Sequence, residues 1–364
     1  MNVNRRQFVA GALAAGTLPL AAAQKRVCMK GTLLHLGSNM WGDFLFDPDA
    51  DNGNYRAFVY AQDACWRETV DNAAKAGLNL IVVDLGEAVT FPSHPELAVK
   101  GSWSVEKFRA ELARMRGLGL EPIPKLNFSA GHDPWLKWYS RMLSTSKYYK
   151  VCEEIIADVV EIFDKPRYFH IGFDEECAQT QRKRALCNYR QGDLWWHDLD
   201  KIAGFCLRRG ARPVMFADKM WWGRKEFFAK MSKDIVQSPW YYFDDFSKEN
   251  LTWDYTFETS GAWPHKRHGS ATILALHEAG FDQIACCSNC YSATSVESFV
   301  KYCSANLVGT EHFLGMYVAP WGMSVPGRMY EGEEAKANRL RGCGTALTNE
   351  GLAQFGDALR RYGC

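Results

Sequence analysis

Short apolar runs alternate along this chain with stretches whose apolar residues recur at helical spacing. The first run covers 31–36 (GTLLHL). The second, 78–84 (LNLIVVD), is apolar almost throughout, as a parallel strand covered on both faces must be. Further runs fall at 121–127, 168–173, 212–217, 235–241, 283–287 and 313–318. Between them the periodicity predicts helices over 63–76, 104–118, 149–163, 194–209, 225–232, 272–279, 296–307 and 349–362. Ser104 is placed to cap a helix start, and Gly77, Gly210 and Gly280 to stop helices. Eight strands alternating with helices predict an α/β fold, a single-domain (β/α)8 TIM barrel. Residues 42–60 and 244–267 are expected as long loops of the kind that cover sites.

The first residues follow a different rule. Arg5, Arg6 and Phe8 precede an apolar, alanine-rich run over 10–22, which ends in Ala21-Ala22-Ala23-Gln24. A charged start, a short apolar middle and small residues at the end predict a cleaved export signal over 1–23. The arginine pair gives it a twin-arginine character. The barrel is then 24–364, an exported periplasmic or extracellular protein with no stable membrane insertion after signal cleavage. The 43 Lys plus Arg nearly balance 42 Asp plus Glu, which argues against a nucleic-acid partner. Twelve cysteines could form disulfides in an exporting compartment, although a twin-arginine substrate folds in a reducing one. The cluster Cys286-Cys287-Ser288-Asn289-Cys290 lacks a second Cys/His pair at zinc spacing, so no metal and no cofactor is expected.

In such barrels, reacting groups sit at the C-terminal ends of the strands. There the fourth run passes into Asp174-Glu175-Glu176 (RYFHIGFDEE). Adjacent carboxylates raise one another's proton affinity, which suits one of them to act as a general acid. Asp174 and Glu175 are therefore the candidate pair for glycosidic cleavage, with Glu176 expected to cap the following helix. Other strand ends carry Asp84 and Glu87, Asn127 and His132, Asp218 with Trp221 and Trp222, Trp240 with Tyr241 and Tyr242, Asn289 with Tyr291, and Trp321. An acidic cluster ringed by aromatics and amides suits a carbohydrate substrate. Asp84 and Glu87 could bind either sugar hydroxyls or loop backbone. His132 could cap the helix at Pro134 or join the acid. His170 and the pair Trp195-Trp196 read as scaffold.

His170-x-Gly172-x-Asp174-Glu175 resembles the H-x-G-x-D-E signature of glycoside hydrolase family 20, the β-N-acetylhexosaminidases. The segment 118–132 (LGLEPIPKLNFSAGH) is similar to the family's third-strand segment, ending in Gly131-His132. The resemblance runs from about Leu78 to Trp240. It implies an exo-acting, retaining hydrolase of terminal N-acetylhexosamine, in which the substrate's own acetamido oxygen attacks the anomeric carbon. By that resemblance Asp174 orients the acetamido group, Glu175 is the acid and then the base, and His132 supports it. Trp221, Trp240 and Trp263 would wall in the acetamido methyl, and Tyr291 would donate to its oxygen. Asn127, Asp218 and Trp321 complete the expected substrate contacts. The chain departs from the family in three places. No arginine follows the first strand, no acid follows Trp321, and position 125 is Lys rather than an acid. Two alternatives follow: a glycosidase for a non-acetamido sugar using the same pair, or a catalytically degenerate carbohydrate-binding barrel.

Overall fold

The computed structural model describes residues 27–363 apart from 43–54, 182, 183, 185, 186, 189, 255–264, 323 and 327–343. The expected signal segment, Trp263 and parts of both long loops lie outside the described residues. Eight parallel strands, β1 (Met29–His35), β2 (Leu80–Asp84), β3 (Glu121–Lys125), β4 (Tyr168–Gly172), β5 (Arg212–Phe216), β6 (Val236–Ser238), β7 (Gln283–Cys287) and β8 (Phe313–Val318), close into one barrel in chain order. Each overlaps the run predicted for it. The helices between and after them are α1 (Asp63–Lys75), α2 (Val105–Gly117), α3 (Ser146–Ile162), α4 (Gly192–Leu207), α5 (Arg224–Lys230), α6 (His265–Glu278), α7 (Ser295–Asn306) and α8 (Thr345–Tyr362), with shorter helical turns in the loops. Ser104 caps α2 by accepting from the Lys107 N–H. Helix α6 begins seven residues before its predicted start, because its first turns are buried through His265, His268 and Gly269 rather than through large aliphatic residues.

Two irregularities shape the mouth near β4. In β3, Glu121 donates its N–H to Asn79 and Lys125 gives its carbonyl to Leu85, so the odd-numbered residues face β2. Pro122 and Pro124 therefore face β4, where they have no N–H to offer. Pairing of β3 with β4 is reduced to the single register pair Lys125 with His170. The second irregularity is a register shift between His170 and Gly172 on the β5 side. His170 Nδ1 accepts the Gly172 N–H at 3.1 Å, which secures the chain where the ladder breaks. Gly172 has φ +76°, and a Cβ there would lie 2.9 Å from Asn127 Cα and closer still to its amide. The glycine of the H-x-G-x-D-E pattern is thus a close-approach residue: without a side chain at 172, Asn127 fits against the end of β4.

Candidate active site

Four polar residues lie side by side across the first four strands. His35 pairs with Asp84, Asp84 with Lys125, and Lys125 with His170. All four are buried. Lys125 Nζ is 2.5 Å from Asp84 Oδ2, and His35 Nδ1 is 3.2 Å from the same oxygen. Burial would raise the Asp84 pKa, but Lys125 and His35 outweigh it and hold the carboxyl at about 2. Burial keeps His35 neutral, its pKa lowered despite Asp84. Asp84 thus serves neighbouring side chains. Glu87 serves loop backbone, accepting from the N–H groups of Ser38 (2.9 Å) and Asn39 (3.1 Å). Its burial pushes it up to about 7.

Beyond β4 the acidic residues separate into different tasks. Asp174 is buried, and its Oδ1 accepts from Asn127 Nδ2 at 2.8 Å. Glu175 keeps 31% of its side chain exposed, and its Oε2 lies 3.0 Å from His132 Nε2. His132 Nε2 is also 3.9 Å from Asp174 Oδ2, so one imidazole touches both members of the pair. The other ring nitrogen, Nδ1, is 3.2 Å from the Met40 carbonyl and donates to it. Burial lowers the His132 pKa, but Asp174 and Glu175 more than offset this and raise it above the ordinary histidine value. His132 is therefore part of the acid network, and not a cap for the helical turn at Pro134.

Glu176, expected to cap the next helix, instead holds the scaffold together. It accepts from the Ala130 N–H at 2.9 Å and from Arg190 Nε at 2.9 Å. Arg190 reaches on to Asp198 at 2.7 Å and to the Phe128 carbonyl at 2.8 Å. Its guanidinium lies over the Phe173 ring, 4.5 Å from the centroid. A carboxylate beside a buried arginine on a neighbouring loop gains more there than at a helix end open to water.

Asn127 and Asp218, expected to touch substrate, both contact the acidic pair. Asn127 donates to Asp174 and accepts the Ser129 N–H at 3.0 Å. Asp218 Oδ2 accepts the Glu175 N–H at 2.8 Å, while its Oδ1 is buried without a partner among the described residues. Burial and the nearby Asp174 push Asp218 up to about 8. Its bond steadies an unusual backbone. Phe173 (φ 65°), Glu175 (φ 56°) and Trp321 (φ 57°) are non-glycine residues in the left-handed region, and all three stand at strand ends around the mouth. Strain of this kind gathers where side chains must be aimed.

The aromatic residues divide into mouth and scaffold. Trp321 is 8% exposed, with ring contacts to His35 (5.7 Å), Trp41 (6.3 Å), Phe216 (6.3 Å) and Tyr242 (6.1 Å). Tyr242 stacks on Trp240 at 5.0 Å. Tyr291 is 48% exposed and lies parallel to Phe243 at 5.5 Å. Trp221 is buried, and its indole N–H donates to Thr272 on α6, so its polar edge faces the helix and away from the mouth. Trp195 and Trp196 are buried packing residues on α4, as expected. Trp41 belongs to this cup but was not expected there, and Tyr242 was expected at a strand end without a role in the site. For Tyr242 the signal was present, as it follows Trp240 at a strand end. Trp41 follows a loop whose return to the mouth no local pattern announces. On β7, Cys286 and Cys287 are buried thiols whose pKa burial raises. Among the described residues no group of three His, Cys, Asp or Glu is arranged to hold a metal. Nor is any described helix long and apolar enough to cross a membrane.

The barrel is similar in fold to several solved structures. The β-N-acetylhexosaminidase of Bacteroides fragilis superposes with TM-score 0.53 at 13% identity, over 90% of this chain and 65% of that one. Dispersin B matches with TM-score 0.54 at 15% identity, over 91% of this chain and 98% of that one. The family 20 β-N-acetylhexosaminidase of Streptomyces coelicolor A3(2) matches with TM-score 0.53 at 11% identity, over 92% and 64%. The chain thus spans just under two thirds of the Bacteroides and Streptomyces proteins. At such identities the likeness is one of fold: a (β/α)8 barrel of the kind found in family 20 enzymes. No sequence-family profile matches the chain, and no curated protein aligns with it.

Proposed function

We propose that this protein is an exported glycoside hydrolase that removes a terminal N-acetylhexosamine by a retaining, substrate-assisted mechanism. The observation that carries the proposal is the trio Asp174–His132–Glu175, two successive carboxylates joined by one imidazole. Its parts suit the steps of that reaction. Asp174, buried and oriented by Asn127, can accept the N–H of an acetamido group and press its oxygen toward the anomeric carbon. Glu175, partly exposed and fed by His132, can protonate the leaving oxygen and afterwards take a proton from water. Asp218, kept protonated, adds no third negative charge while it fixes the Glu175 backbone. The resemblance of the H-x-G-x-D-E segment and the fold shared with β-N-acetylhexosaminidases support the same reading.

One observation favours a second reading. Tyr291, the expected donor to the acetamido oxygen, is half exposed and stacked on Phe243. A hexosidase that needs no acetamido group would use the same pair without that donor. The deciding assay is chromophore release from aryl glycosides with and without the 2-acetamido group, by wild type, Glu175→Gln and Asp174→Asn. Cleavage restricted to acetamido sugars and lost in both variants is expected. Cleavage of plain hexosides would favour the second reading. Sugar binding without turnover, unchanged by Glu175→Gln, would leave a binding barrel.

A further inference from the structure

His35 and Trp321 carry three buried nitrogens that make no hydrogen bond among the described residues. His35 is 1% exposed, and neither ring nitrogen makes a hydrogen bond among the described residues, although Nδ1 lies 3.2 Å from Asp84 Oδ2. The indole N–H of Trp321 is likewise buried and unpartnered. The two rings are 5.7 Å apart, and His35 also lies 4.4 Å from the ring of Trp41. Unmade hydrogen bonds of buried groups are costly, so such groups persist where something fills them.

The polar belt fixes what kind of group that is. Asp84 is an anion held by Lys125 at 2.5 Å, and it faces His35 Nδ1 at 3.2 Å. A carboxylate oxygen at that distance draws the ring proton to Nδ1, because a nitrogen lone pair there would be repelled. With Nδ1 protonated and the ring neutral, Nε2 is a bare acceptor. Trp321 Nε1 can only donate. One acceptor and one donor on neighbouring rings suit a group that both donates and accepts. A hydroxyl does so. A carboxylate cannot donate and an ammonium cannot accept. The Lys125–Asp84 pair cancels its own charge, so the belt offers no net charge to an ionic substituent.

We infer that His35 Nε2 and Trp321 Nε1 together bind one hydroxyl of an uncharged sugar, across the mouth from the Asp174–Glu175 pair. The inference rests on the proposed sugar-hydrolase reading and adds the residue that selects among sugars. It also states a polarity: at this point the protein accepts a hydrogen bond from the sugar through His35. Lys125 and Asp84 are positioning residues, which keep His35 in the accepting tautomer. In the empty protein a water can occupy the same place, and the sugar hydroxyl displaces it.

The test combines deoxy sugars with one substitution. Aryl N-acetylglucosaminides lacking the 3-, 4- or 6-hydroxyl in turn are compared on wild type and His35→Phe. One missing hydroxyl should lower wild-type kcat/KM by about 10- to 100-fold. In His35→Phe the penalty for that same hydroxyl should shrink to about 2-fold, and the penalties for the others should stay. Equal penalties in both enzymes would overturn the inference and leave a resident water as the partner. A second measurement uses the wild-type protein alone, and so survives a variant that does not fold. Ring-nitrogen NMR of histidine-labelled protein should show His35 with a protonated Nδ1 and a bare Nε2, and the Nε2 signal should move on titration with N-acetylglucosamine or N-acetylgalactosamine. A protonated Nε2, or no movement at saturation by either sugar, overturns it. If no aryl glycoside turns over but Nε2 moves with sugar, the hydrolase reading fails and the His35 contact stands.

Discussion

Replacing Gly172 with alanine should damage stability and chemistry together, through two separable causes. The first is backbone. Gly172 holds φ +76°, where an L-residue costs about 1–2 kcal/mol. The second is space. The new Cβ would sit 2.9 Å from Asn127 Cα and overlap the Asn127 amide, which is itself fixed by Asp174 and the Ser129 N–H. Forcing a methyl into a filled site costs about 1–3 kcal/mol. The sum is roughly 2–5 kcal/mol. At about 2.1 cal/mol/K per residue, the unfolding entropy of a chain this long is roughly 0.75 kcal/mol/K, so Tm should fall by about 3–7 °C. Asn127 must also move, which frees Asp174 Oδ1 and should lower kcat by more than the loss of folded protein explains. Thermal melts and steady-state rates on Gly172→Ala, Asn127→Ala and the double variant separate the causes. In the double variant the clash with the Asn127 amide should be recovered, and the backbone cost and the contact with Asn127 Cα retained. A single variant that melts with wild type, or a double variant no better than the sum of the two, would refute the close-approach account.

Other predictions concern charge. Because the Asp218 carboxyl is raised in the fold, its stabilising effect is full below the ordinary aspartate pKa of about 4 and is lost as pH rises toward its folded value. Asp218→Asn, which keeps an acceptor for the Glu175 N–H, should remove that slope in a series of urea melts. His132 has the same sign in a higher window, so its contribution should fade as pH rises above about 6.5, and His132→Gln should abolish that fade. Arg190→Met strands Glu176 and Asp198 in the interior, and should cost about 3–5 kcal/mol by urea unfolding. Burial is the main cause of the lowered His35 pKa and the Lys125 cation adds to it, so Lys125→Met should let the His35 pKa, followed by NMR, rise.

Much of this was legible in the sequence, for identifiable reasons. The strands were, because a barrel strand covered on both sides must be apolar along its length, as LIVVD of β2 is. Asp174, Glu175 and His132 were legible because a short motif and a strand end coincide there. What escaped was set by partners distant in the chain. Glu176 looked like a cap until Arg190, fourteen residues on, was seen to fold back onto it. Nor did any local pattern show that Asn127 and Asp218 would each contact the acidic pair next door. The Trp221 indole N–H likewise finds its partner in Thr272, fifty-one positions away. The unlike charges of Asp84 and Lys125 gave no local sign that the β2–β3 register would bring them together.

That register has a further meaning for how the protein could change. Asp84, Lys125, His132, His170, Asp174 and Glu175 all come from β2 to β4 and the loops that follow them, while among the described residues from β5 onward Asp218 is the acid that touches the pair. The rings of Phe216, Trp240, Tyr242, Tyr291 and Trp321 belong to the later strands and their loops. On the proposed hydrolase reading, the acidic pair and its histidine come from the first half of the chain and most of the aromatic cup from the second, with His35 and Trp41 the exceptions. On that reading, a chimera that exchanges the second half for that of a relative, with Asp218 retained, would replace most of the aromatic cup, Trp321 included, while keeping Asp174, Glu175, His132 and His35.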